Sequence, residues 1–339
     1  MARFDLSEPD GRIEALRRMI LIREFENLTA ERYLDGEIPG FLHPYNGQEA
    51  VAVGACFALE EDDYVTSTHR GHGHCIAAGL DPTKMMSELF GKETGYSRGK
   101  GGHLHIGDID NNFLGTNGVV ASGVPQATGA ALTVDLQDTD QVALSFFGDG
   151  GVAQGQMHEA INLGALWDLP VVYLIEHNLY GEGTPADLQH NIDDLSKISE
   201  GYGVPGEIVD GMNVEAVYET VAEARDRAVG GDGPTIVEMK TYRFKGHFVG
   251  DPEPYRDQEE VERWRQRDPI SSFGEELKSA GIIESGEIEK FRSTARETVE
   301  EAIKLAKKAS EPDPSDAYRH MFVEAVSDRS DPSPGEGSR

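Results

Sequence analysis

The sequence predicts an α/β fold: one open, mainly parallel sheet with helices on both faces, followed by C-terminal helices. Two observations carry this. Residues 142–147 and 171–175 are nearly continuous apolar runs, as strands covered on both faces tend to be, and a glycine turn and a helical stretch at 154–167 separate them. The alternation then repeats, with strand residues Ile208 and Val209, a helix over 214–229 and a strand over 235–239.

The remaining elements follow in order. Ile13, Leu16, Ile20, Phe25 and Leu28 recur at helical spacing and predict an amphipathic helix over 12–34. A second helix is expected over 48–59, and a third opens at Asp81-Pro82 and ends near Gly91. Residues 95–118 are rich in glycine and contain Asn111, Asn112 and Asn117. They lack the Ser, Pro and Glu bias of disorder, so a long functional loop is expected there. A small-residue helix at 124–135 leads into the first apolar strand. Beyond Asp257 the helices are charged, one of them amphipathic through Ile288, Phe291, Ala295, Val299 and Ile303. From Glu311 onward the chain reads as a polar, proline-containing, mobile tail. The expected organisation is therefore an α/β domain over 1–265, a helical extension over 266–310 and the tail over 311–339.

Composition narrows the function. With 339 residues the chain can bury a full core as one large or two smaller domains. Thirty-one Lys and Arg against 61 Asp and Glu give a formal charge of -30, a field that repels nucleic acid and anionic membrane surfaces. That excess is spread along the chain and resembles the acidic surfaces of proteins from high-salt cytoplasm, which predicts a halophilic source. Cys56 and Cys75 form neither a disulfide framework nor a CxxC pair, in keeping with reduced cytoplasm. The opening MARFDLSEPDGR lacks the charged-then-apolar pattern of a signal segment, and no apolar run is long enough to span a bilayer.

The sharpest chemical signal is Gly148-Asp149-Gly150-Gly151 at one strand end, with Asn178 at the end of the next strand. In a parallel sheet both would face the crevice beyond the carboxyl ends of the strands, at the N-terminus of the intervening helix. A carboxylate and a carboxamide there suit a magnesium ion that keeps phosphate among its ligands. A rival reading takes Gly148-x-Gly150-x-x-Ala153 as a dinucleotide fingerprint with Glu176 as the ribose acid, making the chain an NAD-dependent oxidoreductase. Its weakness is that Asp149 would aim a carboxylate at the pyrophosphate with no cation between them. His69, His72, His74, His103 and His105 permit a transition-metal site, although no HExxH-like pattern accompanies them.

The segments GFLHPYNGQEAVAVG, STHRGHG, GKGGHLHIG, GTNGVVASGVP, GDGGVAQG…EHNLYG and TYRFKGH, in that order over residues 13–270, carry a resemblance. The chain resembles the alpha subunit of the decarboxylating dehydrogenase component of 2-oxo acid dehydrogenase complexes, especially the pyruvate and acetoin branches. The resemblance implies a thiamin-diphosphate-binding fold with thiamin diphosphate and magnesium as cofactors. It makes Asp149, Asn178 and the Tyr180 carbonyl the metal ligands, and Gly150 and Gly151 backbone donors to the diphosphate. Arg70 matches the diphosphate arginine, with His69 beside it at the cofactor, and Gly118 and Val120 match the positions whose backbone touches the aminopyrimidine ring. His43 and His247 match the catalytic histidines, His247 also lying at the cofactor. The implied activity is oxidative decarboxylation of a 2-oxo acid, pyruvate first, with acyl transfer to a lipoyl group, or the corresponding acetoin reaction. The implied partners are a beta subunit in a heterotetramer of two alpha and two beta chains, and a lipoyl-bearing acyltransferase component.

The chain departs from that pattern in places. His69 stands where the pyruvate enzymes often carry tyrosine, Ala153 where asparagine is usual, and His177 replaces the first Asn of the common ENN. Phe248-Val249-Gly250-Asp251 lacks the serine that animal members phosphorylate, so control at that position is not implied.

Overall fold

A computed structural model describes residues 4–320. The first half runs α1 (Pro9–Leu34), α2 (Glu49–Phe57), β1 (Tyr64–Thr66), α3 (His72–Ala77), α4 (Pro82–Leu89), β2 (Phe113–Gly115), α5 (Gly123–Gln137), β3 (Ala143–Gly148), α6 (Gly155–Leu166) and β4 (Val171–His177). A two-residue hairpin, β5 (Tyr180–Gly181) and β6 (Thr184–Pro185), precedes β7 (Gly206–Asp210), α7 (Val214–Val229) and β8 (Thr235–Lys240). Three helices follow: α8 (Gln258–Arg265), α9 (Pro269–Ser279) and α10 (Glu287–Lys308).

The strands form a six-stranded sheet in the order β2-β1-β3-β4-β8-β7, and every pairing is parallel. Strand side chains alternate between faces, and the core divides accordingly. Leu144, Phe146, Val172 and Leu174 pack with α1, α2 and α7, whereas Ala143, Phe147, Val171, Tyr173 and Ile175 pack with α5 and α6. The sheet is thus covered on both faces, which explains the continuous apolar runs in the sequence. Each large apolar side chain so buried contributes about 1.5–3 kcal/mol before the entropy of ordering it is subtracted.

Sequence and structure differ at three places. The long loop before α5 is not all loop, because Phe113–Gly115 within it joins the sheet beside β1. The helices after residue 265 share the core of the sheet's α1 face, since Phe273, Leu277, Val299 and Ala302 belong to the same buried cluster as Leu16 and Ile20. The polar tail begins later than its composition suggests. Residues Pro314–Tyr318 form a short 3-10 turn, and buried Asp316 accepts from Arg98 Nε at 2.8 Å, so an ion pair holds a stretch whose apolar content alone would not. Residues 321–339 lie outside the described part. Among the described residues no helix is long and apolar enough to cross a membrane.

The strand order reverses between β1 and β3, where open α/β sheets leave a crevice at the carboxyl edge. Register brings four strand ends into line there, through the pairs Thr66 with Ser145, Gly148 with Glu176 and His177 with Lys240. The loops that leave these ends carry the functional candidates.

Candidate active site

A cavity of about 360 Å³ opens at this edge. It is lined by His43, His69, Arg70, Gly118, Val120, Asp149, Gly150, Gly151, Asn178, Tyr180 and His247, so the residues named through the resemblance lie around one cavity, whereas His72, His74, His103 and His105 do not line it. Segments far apart in the chain converge because each leaves the sheet or a neighbouring helix at the same edge. Ala121 and Glu182, which line the cavity, and Leu179 next to Asn178 adopt left-handed φ of 62°, 58° and 74°, conformations that cost non-glycine residues of order 1 kcal/mol or more.

Asp149 is 1% exposed. Its Oδ1 accepts from the Gly150 N–H at 2.7 Å, and its Oδ2 has no partner. Burial pushes this carboxyl up, partly opposed by His177. On the next strand end, the Asn178 amide donates from Nδ2 to Gln48 Oε1 at 3.0 Å. That bond fixes the amide orientation and leaves Asn178 Oδ1 with only a long contact from the Tyr180 N–H at 3.3 Å. Gln48 sits at the start of α2, placed by the turn before it. Gly47 in that turn has φ 102°, and a Cβ there would lie 2.3 Å from the Tyr242 carbonyl oxygen, so only glycine lets the two segments close.

The opposite wall is cationic. Arg70 and Arg243 are both buried, and neither has a carboxylate partner within ion-pair distance among the described residues. Arg70 donates to the carbonyls of Pro44 at 2.8 Å and His247 at 3.0 Å, and Arg243 donates to the Glu182 carbonyl at 2.7 Å, its Nε unpartnered. Burial and the neighbouring Arg243 push Arg70 down to about 9. Two guanidiniums without counter-charge, facing a carboxylate oxygen without a donor, form a donor set suited to an anion held together with a cation.

At the remaining end lie the histidines. His43 and His247 have ring centroids 4.8 Å apart, and His43 and His69 4.9 Å apart. His247 Nδ1 lies 3.1 Å from Arg70 Nη2 and 3.1 Å from Arg243 Nη1, so it accepts, and the ring hydrogen falls on Nε2. Asp251 braces this loop, its Oδ2 accepting from the His247 N–H at 2.7 Å and from the Tyr255 hydroxyl at 2.5 Å. Burial and Arg70 push His43 down to about 2, and burial with Arg70 and Arg243 pushes His247 down to about 3. His69 is lowered by the same causes. His43, His69 and His247 place ring nitrogens within 4.8 Å of one another, a metal-capable trio that differs from the histidines grouped by the sequence. With two guanidiniums on the same cavity, the local field favours an anion there over a cation.

This burial has a testable sign. The unfolded chain protonates these imidazoles near 6.5, whereas His43, His103 and His247 stay neutral in the fold down to about 2–3. Between those values the unfolded state binds more protons, so stability rises with pH and is lost as pH falls. The melting temperature of the apoprotein is expected to drop steadily from about pH 7 to about pH 4. A flat profile over that range would contradict the buried neutral cluster.

Glu176 has partners that the rival reading did not foresee, and Arg243 was missed. Glu176, the ribose acid of the rival reading, is engaged inside the protein. Its Oε1 accepts from the Tyr45 hydroxyl at 2.5 Å and lies 3.1 Å from His74 Nε2, so one of its oxygens is held within the protein although the residue borders the cavity. The Val120 carbonyl receives the Gln156 amide at 2.7 Å. Arg243 escaped notice because a single arginine has no spacing signal; its clue was a charge set between aromatic Tyr242 and Phe244 at a strand end. His103, grouped by the sequence with His72, does lie beside it, but its hydrogen bond at 2.7 Å goes to His43, which that grouping left out.

A parallel sheet whose switch-point cavity brings two buried arginines and a glycine-flanked aspartate together has the arrangement in which open α/β folds bind ligands. The chain belongs to the dehydrogenase E1 component family, whose model matches residues 17–315. It is 42% identical to the alpha subunit of acetoin:2,6-dichlorophenolindophenol oxidoreductase from Bacillus subtilis, over 91% of this chain and 92% of that one. It is 39% identical to the pyruvate dehydrogenase E1 component alpha subunit of Porphyra purpurea, over 90% and 91% of the two chains. It is 41% identical to the corresponding subunit of Zymomonas mobilis, over 92% and 88%. The chain is therefore an alpha-type chain of a 2-oxo acid dehydrogenase component, an oxidoreductase family whose membership implies use of thiamin diphosphate.

Proposed function

We propose that the cavity binds thiamin diphosphate and magnesium, and that Asp149, the Asn178 side chain and the Tyr180 carbonyl would hold the metal. The observation that supports this most is the orphaned, buried Asp149 oxygen in the same cavity as two guanidiniums that lack counter-ions. Arg70 and the backbone N–H of Gly151 would hold the diphosphate beside Gly150, whose own N–H donates to Asp149 Oδ1 in the empty cavity, with His69 flanking it and Gly118 and Val120 bordering the aminopyrimidine. When bound, thiamin diphosphate supplies the electron sink that decarboxylation of a 2-oxo acid requires. The protein's share is to hold and move protons at the reacting end. His247 presents an N–H at Nε2, because Arg70 and Arg243 occupy its other nitrogen, and His43 faces it across the cavity.

We read the whole reaction as oxidative decarboxylation of pyruvate with acyl transfer to a lipoyl group of an acyltransferase component. The acetoin reaction is the second reading, favoured by the 42% identity to an acetoin-oxidising relative. A beta subunit completes the site in a heterotetramer of two alpha and two beta chains, and exposed Val119 and Val120 at the cavity support a shared boundary. The charge of -30 supports a halophilic, cytoplasmic setting.

Thiamin diphosphate and magnesium together are expected to raise the melting temperature, each alone much less, and NAD not at all. Turnover assays of the complex with beta subunit over pyruvate, branched-chain 2-oxo acids and acetoin then fix the substrate. Stabilisation by NAD without magnesium would overturn the reading in favour of a dinucleotide enzyme.

A further inference from the structure

A line of buried side chains runs from the core of α1 to the cavity, and the proposed chemistry makes no use of it. Glu26 on α1 is fully buried, and its Oε1 lies 3.0 Å from His72 Nδ1. A carboxylate only accepts, so His72 carries its hydrogen on Nδ1. The next ring is His103, 5% exposed and edge-on to His72 with centroids 5.8 Å apart; His72 Nε2 makes no hydrogen bond, so His72 acts on His103 through this contact and the field behind it. His103 Nε2 in turn lies 2.7 Å from Nδ1 of His43, whose ring lines the cavity. One hydrogen sits in that last bond. The buried Glu26 charge behind it and the Arg70 guanidinium beyond it set up a field that favours each ring hydrogen on the side nearer the carboxylate.

We propose that His103 is a positioning residue which, backed by Glu26 and His72, holds His43 with its hydrogen on Nδ1 and a bare Nε2 for the cavity. His43 and His247 then stand in opposite tautomers on rings 4.8 Å apart, one nitrogen accepting a proton and the other donating. The groups around His43 agree with this: Arg70 favours a lone pair on the cavity side, and the other rings against it are those of His69, His103 and His247. The inference rests on His43 acting at the reacting end.

The test uses the reconstituted complex with beta subunit. His103→Phe keeps a ring but removes both nitrogens, whereas His103→Gln offers a carbonyl oxygen that accepts from His43 Nδ1. His103→Phe is expected to lower kcat about 10²-fold with KM and thiamin diphosphate affinity unchanged, and His103→Gln to recover at least about 10-fold of that loss. In a His43→Ala background His103→Phe should cost nothing further. A kcat for His103→Phe near wild type, no recovery in His103→Gln, or the same loss in the His43→Ala background overturns the inference. Wild-type turnover in His43→Ala alone overturns the assignment of His43 as well, which separates the two failures. A protein whose melting temperature falls while its kcat holds would mark His103 as packing only, and also overturns it.

Discussion

Asp149→Asn is expected to abolish cofactor-dependent turnover while making the empty protein more stable. The two effects have opposite signs for one reason. In the absence of a cation the buried carboxylate lacks a counter-charge, and its carboxyl is pushed up by that burial. An ionised group whose folded pKa is raised destabilises the fold at neutral pH, so a neutral amide of the same shape removes a cost. In the proposed site the same carboxylate would hold magnesium, and losing it should weaken cofactor binding by about 3–5 kcal/mol, roughly 10² to 10⁴-fold. Calorimetric titration of the variant with thiamin diphosphate and magnesium, beside melting curves of both apoproteins, reads the two signs separately. Unchanged cofactor affinity would remove Asp149 from the metal site.

Arg243→Met should lower thiamin diphosphate affinity about 10²-fold and alter the behaviour of His247 as well. Arg243 is 1% exposed and lines the cavity with Arg70. Burial and the neighbouring Arg70 and Arg243 hold His247 at about 3, so removing one guanidinium lets its pKa rise. The acid loss of stability that His247 causes should then become shallower in the apoprotein, because its folded pKa moves closer to the unfolded one. Arg243→Lys keeps the charge but not the planar fork, and is expected to recover only part of the affinity. Titration calorimetry on the pair of variants decides this, and a wild-type dissociation constant for Arg243→Met would show that Arg70 alone holds the diphosphate.

What the sequence revealed depended on how local the signal was. The β3–α6–β4 unit announced itself through apolar runs and glycine punctuation, and the helix over Val214–Val229 was readable to the residue. The spacing of Asp149 and Asn178 was informative because parallel register puts neighbouring strand ends side by side. β1 and β2 were hidden because three residues each give no periodicity, and their strand character comes from pairing with each other and with β3. His43 and His247 could be named from ordered segments, but Arg243 and His103 matter through contacts with residues remote in the chain. No local pattern encodes such contacts.

Glu88, at the end of α4, holds the glycine-rich segment that bears His103. Fully buried, its Oε1 accepts from the N–H groups of Gly101 and Gly102 at 2.7 and 3.1 Å, and its Oε2 from Ser97 and Gly99 at 2.8 and 2.9 Å. Four amides on one carboxylate saturate its lone pairs, so the path from residue 97 to residue 102 is set by a single side chain rather than by any molecule that later enters the cavity. Natural variation in this stretch should accordingly follow length more strictly than identity. Exposed side chains there can drift, whereas one inserted or deleted residue breaks the count of amides that Glu88 gathers.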